Sequence, residues 1–462
     1  MYKIESISKK ILADTTTPVS IYLRLRDLYP NSILLESSDY HSKENSLSYI
    51  CCKPIAGIKL NNNTLCSYFP DGATESLNHF NISESIQLFK DKFQVEETTT
   101  PNLQNNGLFG YFNWNILKFT EDVNIDISNN TIPIMQYHLY AFVIVVDHFK
   151  NELRVFQNRS NSDEKDELND IINLIQDRSY SNFKFSVVGS EESDMDDEDF
   201  KKLVLKMKAH ISRGDVFQIV PSISFSQSFK GDEFNVYRCL RSINPSPYLF
   251  YFDYGDFKLF GSSPEAQISI KNKEANLFPI AGTFKRTGND KEDAIMAEKL
   301  LNDEKESAEH VMLVDLARND LSRNCFNVEV KSFKKIQFYS HLIHLVSHIS
   351  GELNPEAKIF DVVTQSYPAG TLSGAPKLKA IELLNKYEKT NRRFYAGAIG
   401  FMGFNDEFLH AIMIRTFMSK ENKLHYRAGA GIVFQSNPES ELAEVNNKIA
   451  ALRKAIKMAT NL

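Results

Sequence analysis

DEKESAEHVMLVDLARND, residues 303–320, seats Glu306 and Glu309 three apart at the start of an apolar run. At 100° per residue, Glu306, Glu309, Leu313 and Leu316 share one helix face, so the carboxylates lie on the side that packs. An unpartnered carboxylate there is costly to bury. The chain repeats the spacing in SNPESELAEVNNK, residues 436–448, where Glu441 and Glu444 stand at i, i+3. Two such pairs facing each other supply the hard oxygen donors that suit Mg²⁺. The same residues also serve plainer ends. Glu306 and Glu309 favour a helix N-terminus electrostatically. Ser436 and Glu439, with Pro438 first in the helix, have the spacing of a capping box, and Glu444 and Lys448 suit an i, i+4 surface ion pair.

Working outward, 462 residues are enough for a large core. With 53 basic and 59 acidic residues the net charge is −6, so the basic excess that a phosphate backbone requires is missing and nucleic acid is not an expected partner. Cys51, Cys52, Cys66, Cys239 and Cys325 are odd in number and include no C-x-x-C, which suits neither a disulfide framework nor a zinc site. No window approaches 18 uninterrupted apolar residues, and the first residues have no apolar leader segment. The expectation is a cytoplasmic protein that does not engage a membrane.

Residues 1–157 mix short β-like runs with turn clusters, and read as a strand-rich part. Residues 158–200 are polar and acidic, and read as a linker leading into the start of a helix. Residues 201–462 alternate helices and strands with small-residue turns, GSSPE, PIAGT, PAGTLSGAP, YAGAIGF and AGAGIVF, which let backbone approach a ligand closely. AGAGIVF lacks the third glycine of a dinucleotide fingerprint, and no G-x-x-x-x-G-K-[ST] loop occurs.

Taken together, PIAGTFKRTGND, DEKESAEHVMLVDLARNDLSR, YSHLIHLVSHISGEL, YPAGTLSGAPKLKAIELL, FYAGAIGF, IMIRT and AGAGIVFQSNPESELAEVNNK resemble, in order, the motifs of the chorismate-utilising enzymes, most closely the large subunits of anthranilate synthases. The likeness is dense over about residues 200–455 and thinner before, through TPVSIYLRL and ILLESSD. It implies an α+β fold of two antiparallel β-sheets packed as a sandwich with surrounding helices, the active site lying in the cleft between. It further implies Mg²⁺ held by Glu309 and Glu444, with Glu306 and Glu441 supporting through water. The enolpyruvyl carboxylate of chorismate falls to Arg415 and Tyr395. Backbone N–H groups are expected to come from Gly429, Ala430 and Gly431 and from the turn at Thr371, Leu372 and Ser373. Glu265 of GSSPE becomes the general acid for the departing hydroxyl, and His344 serves proton transfer in the elimination of pyruvate. Thr283 belongs to the same set.

The resemblance also separates family members. Water-adding relatives carry a lysine base where Gln218 stands, and an amide cannot take a proton from water. Many aminodeoxychorismate synthases read PIKGT where this chain has Ala281, which favours anthranilate over the folate precursor. Phe284 departs from the arginine usual after Thr283. LLES (34–37) with NPSPYLF (244–250) implies a tryptophan feedback pocket at Glu36, Ser37, Leu249 and Phe250, Leu249 replacing the usual methionine. No cysteine sits in a G-x-C-x-G nucleophile turn, so a separate glutamine amidotransferase subunit is the expected ammonia source. A silent, tryptophan-sensing relative is the reading from another class. It is disfavoured because the residues of the metal, clamp and acid sets are all present.

Overall fold

A computed structural model describes residues 1–37, 46–95, 103–128, 130–161, 163–177, 179–338 and 342–462. The strand Met135–Asp147, MQYHLYAFVIVVD, is buried along nearly its whole length, as its almost continuous apolar run requires. It pairs with the long strand Leu47–Asn61, and the two carry the sheets that spread from them.

From Leu47–Asn61 the first sheet runs through Ile33–Glu36, Tyr248–Asp253, Phe257–Ser263, Thr416–Lys420, Lys423–Gly429 and Ser222–Gly231 to Phe185–Ser193. From Met135–Asp147 the second runs through Leu108–Phe112, Ala398–Met402, Phe408–Ile412, Ala266–Lys271 and Glu274–Leu277 to Leu342–Leu353. That last strand also pairs with Cys325–Phe338 and Ile280–Lys285. All these pairings are antiparallel. Tyr2–Ile4 runs parallel to Phe93–Val95.

One apolar cluster draws Phe250, Phe252, Leu259 and Met418 from the first sheet and Phe109, Tyr111, Ile399 and Phe401 from the second. It is the filling between two packed faces, as the alternation of side chains across strands demands. The expected pair of antiparallel sheets with helices around them is therefore present. Residues 158–200 carry the end of the strand Glu152–Arg159, the helix Leu168–Gln176, which packs on the helix Pro18–Leu25, the strand Phe185–Ser193 and the start of the helix Asp197–Ser212.

Two helices bring the acids in. Glu304–Leu321 starts at Asp303, whose side chain accepts from the Glu306 N–H, and packs on the strands Ile280–Lys285 and Leu342–Leu353. Pro438–Ala459 lies on the helices Phe234–Ile243 and Asp197–Ser212. Its cap is Asn437, accepting from Glu439 N and Ser440 N, and not the Ser436–Glu439 box that the spacing suggested. Ser436 turns its hydroxyl to the Val433 N–H instead, because it still belongs to the preceding turn.

Candidate active site

The chain crosses from the first sheet to the second at Ser263–Glu265, and from the second to the first between Ile412 and Thr416. These crossings are hydrogen-bonded to each other: Ser262 N–H donates to the Arg415 carbonyl at 3.2 Å, and Ile412 N–H to the Glu265 carbonyl at 3.0 Å. A carboxyl and a guanidinium are thereby fixed at the seam. Gly261 is obligatory there, since a Cβ would stand 2.9 Å from the Arg415 carbonyl oxygen. Arg415 itself holds φ +50°, a left-handed conformation that a non-glycine residue adopts at a cost of about 1–3 kcal/mol.

Glu265 is buried, and desolvation pushes its carboxyl up to about 7, against the Thr371 hydroxyl and the charges of Lys448 and Arg415. The Thr371 hydroxyl donates to it at 3.2 Å. Burial lowers the Arg415 guanidinium, Glu265 opposes that, and one Arg415 Nη reaches Asn244 Oδ1 at 3.5 Å. His344 is buried, which lowers its imidazole to about 4. Its Nδ1 lies 3.3 Å from the Gly282 carbonyl, an acceptor only, so Nδ1 carries the hydrogen and Nε2 keeps its lone pair. The Thr283 backbone is paired opposite His344, while its side chain lies outside the described atoms.

Gln218 gives its amide N–H to Glu309 Oε1 at 2.6 Å, and a Cβ on Gly431 would meet that amide nitrogen at 2.9 Å and the Glu309 oxygen at 3.6 Å. Three motifs far apart in sequence therefore meet. Glu306 comes beside Gly282, where a Cβ would stand 3.2 Å from its carboxylate. Glu441 is buried at the start of its helix, and Glu444 pairs with Lys448 at 2.7 Å, as the i, i+4 spacing suggested. Lys448 also donates to the Gly429 carbonyl at 2.9 Å and acts electrostatically on both Glu265 and Tyr395. It is thus a site residue, where the sequence offered only a surface pair.

The carboxylates suit Mg²⁺ as a donor set: four hard oxygen groups, a close approach at Gly431 that only a glycine allows, and a buried Gln218 Oε1 with no hydrogen-bond partner. Among the described residues no three acidic, histidine or cysteine side chains already converge as metal donors. Glu309 and Glu444 are instead occupied by Gln218 and Lys448.

Two backbone expectations need correction. Leu372 N–H is spent on the Ala369 carbonyl and Ser373 N–H on Gly370, because residues 370–372 close a 3₁₀ turn. Ala430 N–H is likewise taken by the Pro221 carbonyl.

Tyr395 is buried, and a residue that the sequence did not single out holds it in place. The Arg392 guanidinium lies 4.5 Å from the Trp114 ring centroid and 5.6 Å from that of Tyr395. It donates to the Leu372 carbonyl at 2.7 Å, to the Val220 carbonyl at 2.5 Å and to Glu388 at 2.7 and 2.9 Å. Glu388 in turn accepts from Ser222 N and Oγ at 2.9 and 2.7 Å. Burial alone would raise Glu388; Arg392 and Arg427 outweigh it and hold the carboxyl below its usual range. One ion pair thereby ties the Thr371 turn, the Gln218 strand, Tyr395 and the Gly429 strand together.

A separate cavity of about 320 Å³ opens between the sheets, and Leu35, Glu36, Ser37, Leu249 and Phe250 all line it. Glu36 accepts from the Tyr237 hydroxyl at 2.7 Å and from Arg241 Nε at 2.8 Å.

Residues 31–454 match the model of the chorismate binding enzyme family. Component 1 of anthranilate synthase from Aquifex aeolicus (strain VF5) is 36% identical, over 99% of this chain and 96% of that protein. The crystal structure of anthranilate synthase component I from Streptococcus pneumoniae TIGR4 superposes with a TM-score of 0.79 at 29% identity, over 96% of this chain and 99% of that one. The menaquinone-specific isochorismate synthase of Escherichia coli, at 18% identity and a TM-score of 0.74 over 98% and 95%, shares the fold. With its motifs gathered at one seam between the sheets, this chain belongs to the chorismate-binding enzymes.

Proposed function

We propose that the chain is the large subunit of an anthranilate synthase, a carbon–oxygen lyase that converts chorismate and ammonia to anthranilate and pyruvate in the first committed step of tryptophan biosynthesis. The ammonia comes from glutamine on a partner amidotransferase subunit, and the complex works in the cytoplasm. One observation carries the reading: a buried carboxyl raised to about 7 sits at the sheet crossing with an arginine beside it. Hydroxide leaves poorly, and only an acid still protonated near neutral pH can assist it.

Arg415 meets the enolpyruvyl carboxylate with its planar fork, and Tyr395, stacked by Arg392, shapes the same end of the site. Glu265 gives its proton to the C4 hydroxyl as ammonia adds at C2. Nε2 of His344 then accepts the C2 proton as pyruvate departs, Nδ1 being held by the Gly282 carbonyl. A low pKa makes His344 a weak base, which suffices where aromatisation drives the step. Gln218 is hydrogen-bonded to Glu309 and has no basic lone pair, which supports an amine over water as nucleophile. Glu309 and Glu444, backed by Glu306 and Glu441, would hold Mg²⁺, which would supply charge neutralisation for the ring carboxylate.

Purified chain given chorismate, Mg²⁺ and ammonium at mildly alkaline pH is expected to release fluorescent anthranilate and pyruvate, with turnover abolished by a chelator. Accumulation of aminodeoxychorismate, or of isochorismate, on chromatography would overturn the assignment.

The cavity at Glu36 has the size and the mixed lining of a small-molecule site, which supports tryptophan as a feedback inhibitor. Arg241, 40% exposed, shares the Glu36 carboxylate at the rim of this cavity, and an amino group bound there would compete with it for that carboxylate. Loss of one charge-assisted hydrogen bond of about 1.5–3 kcal/mol predicts that Glu36→Ala raises the half-inhibitory tryptophan concentration roughly 10- to 100-fold while uninhibited turnover survives. Ser37→Phe, which fills the cavity, is expected to do the same. Unchanged inhibition in both variants would remove tryptophan from this cavity.

A further inference from the structure

The cavity at Glu36 is walled by both sheets, and the two walls carry different chemistry. Glu36 and Ser37 come from the first sheet, where the Glu36 carboxylate already accepts from Tyr237 and Arg241. The second sheet contributes the hairpin of Ala398–Met402 and Phe408–Ile412, which lines the cavity with Ile399, Phe401 and Phe408. The Phe401 ring packs on Phe109, another lining residue, at 5.0 Å between centroids, so this wall suits a flat apolar ring. Into it the turn of the hairpin sets a second carboxylate, Glu407.

That turn holds Glu407 in place. Gly403 N–H donates to the Glu407 carbonyl at 2.7 Å, Glu407 N–H donates to Asn405 Oδ1 at 3.3 Å, and Asp406 pairs with the buried Lys90 at 2.7 Å. The Gln104 amide donates to Glu407 Oε2. Among the described residues no donor reaches the other oxygen, Oε1, so this half-buried carboxylate keeps acceptor capacity. Ser269 and Lys271 line the cavity too, but a lysine only donates, and a neutral hydroxyl accepts more weakly than a carboxylate. Water satisfies Oε1 while the cavity is empty. A ring laid on Phe401 and Phe408 displaces that water, and then either brings its own donor or leaves the carboxylate dry.

We infer that Glu407 reads the ring of the effector, its carboxylate accepting the indole N–H while Glu36 meets the amino group. The inference rests on the tryptophan reading of this cavity and adds the residue that tells tryptophan from amino acids whose rings carry no donor. A site built to accept an N–H rejects a ring that lacks one, because the carboxylate is then covered and left unpaired. The probe is 3-benzothienylalanine, in which sulfur replaces the indole N–H at nearly the same shape. Calorimetric titration of the full chain is expected to show tryptophan bound at least about tenfold more tightly than this analogue, the worth of one hydrogen bond to a charged group. In Glu407→Leu tryptophan falls to the level of the analogue, whose own affinity holds or rises, while in Ser269→Ala the preference persists. Equal affinities in the unaltered chain overturn the inference. So does a preference that survives Glu407→Leu or is lost in Ser269→Ala, and so does an equal fall for both ligands in Glu407→Leu, which gives that carboxylate the amino group instead. Should Glu407→Leu fail to fold, the comparison in the unaltered chain decides alone. A chain that makes anthranilate but binds neither amino acid would overturn the tryptophan reading itself.

Discussion

Glu265→Gln is expected to lower the maximal rate by about 10²–10⁴-fold, the range for losing a positioned general acid, while the chorismate KM changes little and the folded state becomes more stable at alkaline pH. The two effects share one cause. Burial raises the Glu265 carboxyl from 4.5 to about 7. A carboxyl raised on folding contributes fully below its unfolded value, and the contribution is lost as pH climbs from about 4.5 through 7. Above that window the ionised group costs about 3 kcal/mol, a cost that glutamine, being neutral, does not incur. Urea unfolding at pH 5 and pH 8 is therefore expected to show the variant gaining on the parent only at the higher pH. The rate of the parent, followed at constant free ammonia, falls about tenfold per unit above the pKa of the acid. That limb lies higher for kcat than for kcat/KM, because bound dianionic substrate disfavours ionisation of a neighbouring carboxyl. A variant with parental rate, or a pH-independent stability difference, would remove Glu265 from the acid role.

Arg392→Met is expected to cost about 3–5 kcal/mol, the penalty for leaving one half of a buried ion pair without the other. It also frees the Leu372 and Val220 carbonyls and unstacks Tyr395. Because those elements hold Thr371, Gln218 and the substrate end of the site, the folded remainder is expected to bind chorismate at least tenfold more weakly. Arg392→Lys keeps the charge but not the fork that reaches two carbonyls and Glu388 together, so it recovers part of the stability and little of the affinity. Removing both partners, as Arg392→Met with Glu388→Met, is expected to restore most of the stability without the binding. Equal recovery of both properties in the double variant would show that the pair only fills space.

These residues mark how far the sequence could be read. The helix at 304–321 followed from its apolar spacing, and its Asp303 cap satisfies the orphan N–H groups at that end. The neighbouring start at Pro438 was also legible, but its cap was not: Asn437 and Ser436 are both good acceptors, and only the turn at Val433 decides which faces the helix. The N–H groups of Leu372, Ser373 and Ala430 were misjudged for a related reason, since small residues announce a close turn without telling whether its donors point inward. Arg392 was passed over because nothing local distinguishes it from Arg393. Its four tasks lie with Trp114, Val220, Leu372 and Glu388, and three of those are at least 20 residues away.

By itself the sequence determined the element types, the chemical identity of the site residues and the family, because periodicity, capping and motif order are written in neighbouring positions. Tertiary structure alone decided what surrounds those residues. Burial at the crossing of two sheets is what raises the Glu265 carboxyl, and Lys448 reaches the site only because Gly429 comes to its helix. Desolvation, stacking and unmet hydrogen bonds depend on distances between groups far apart in the chain, and those distances are set by packing.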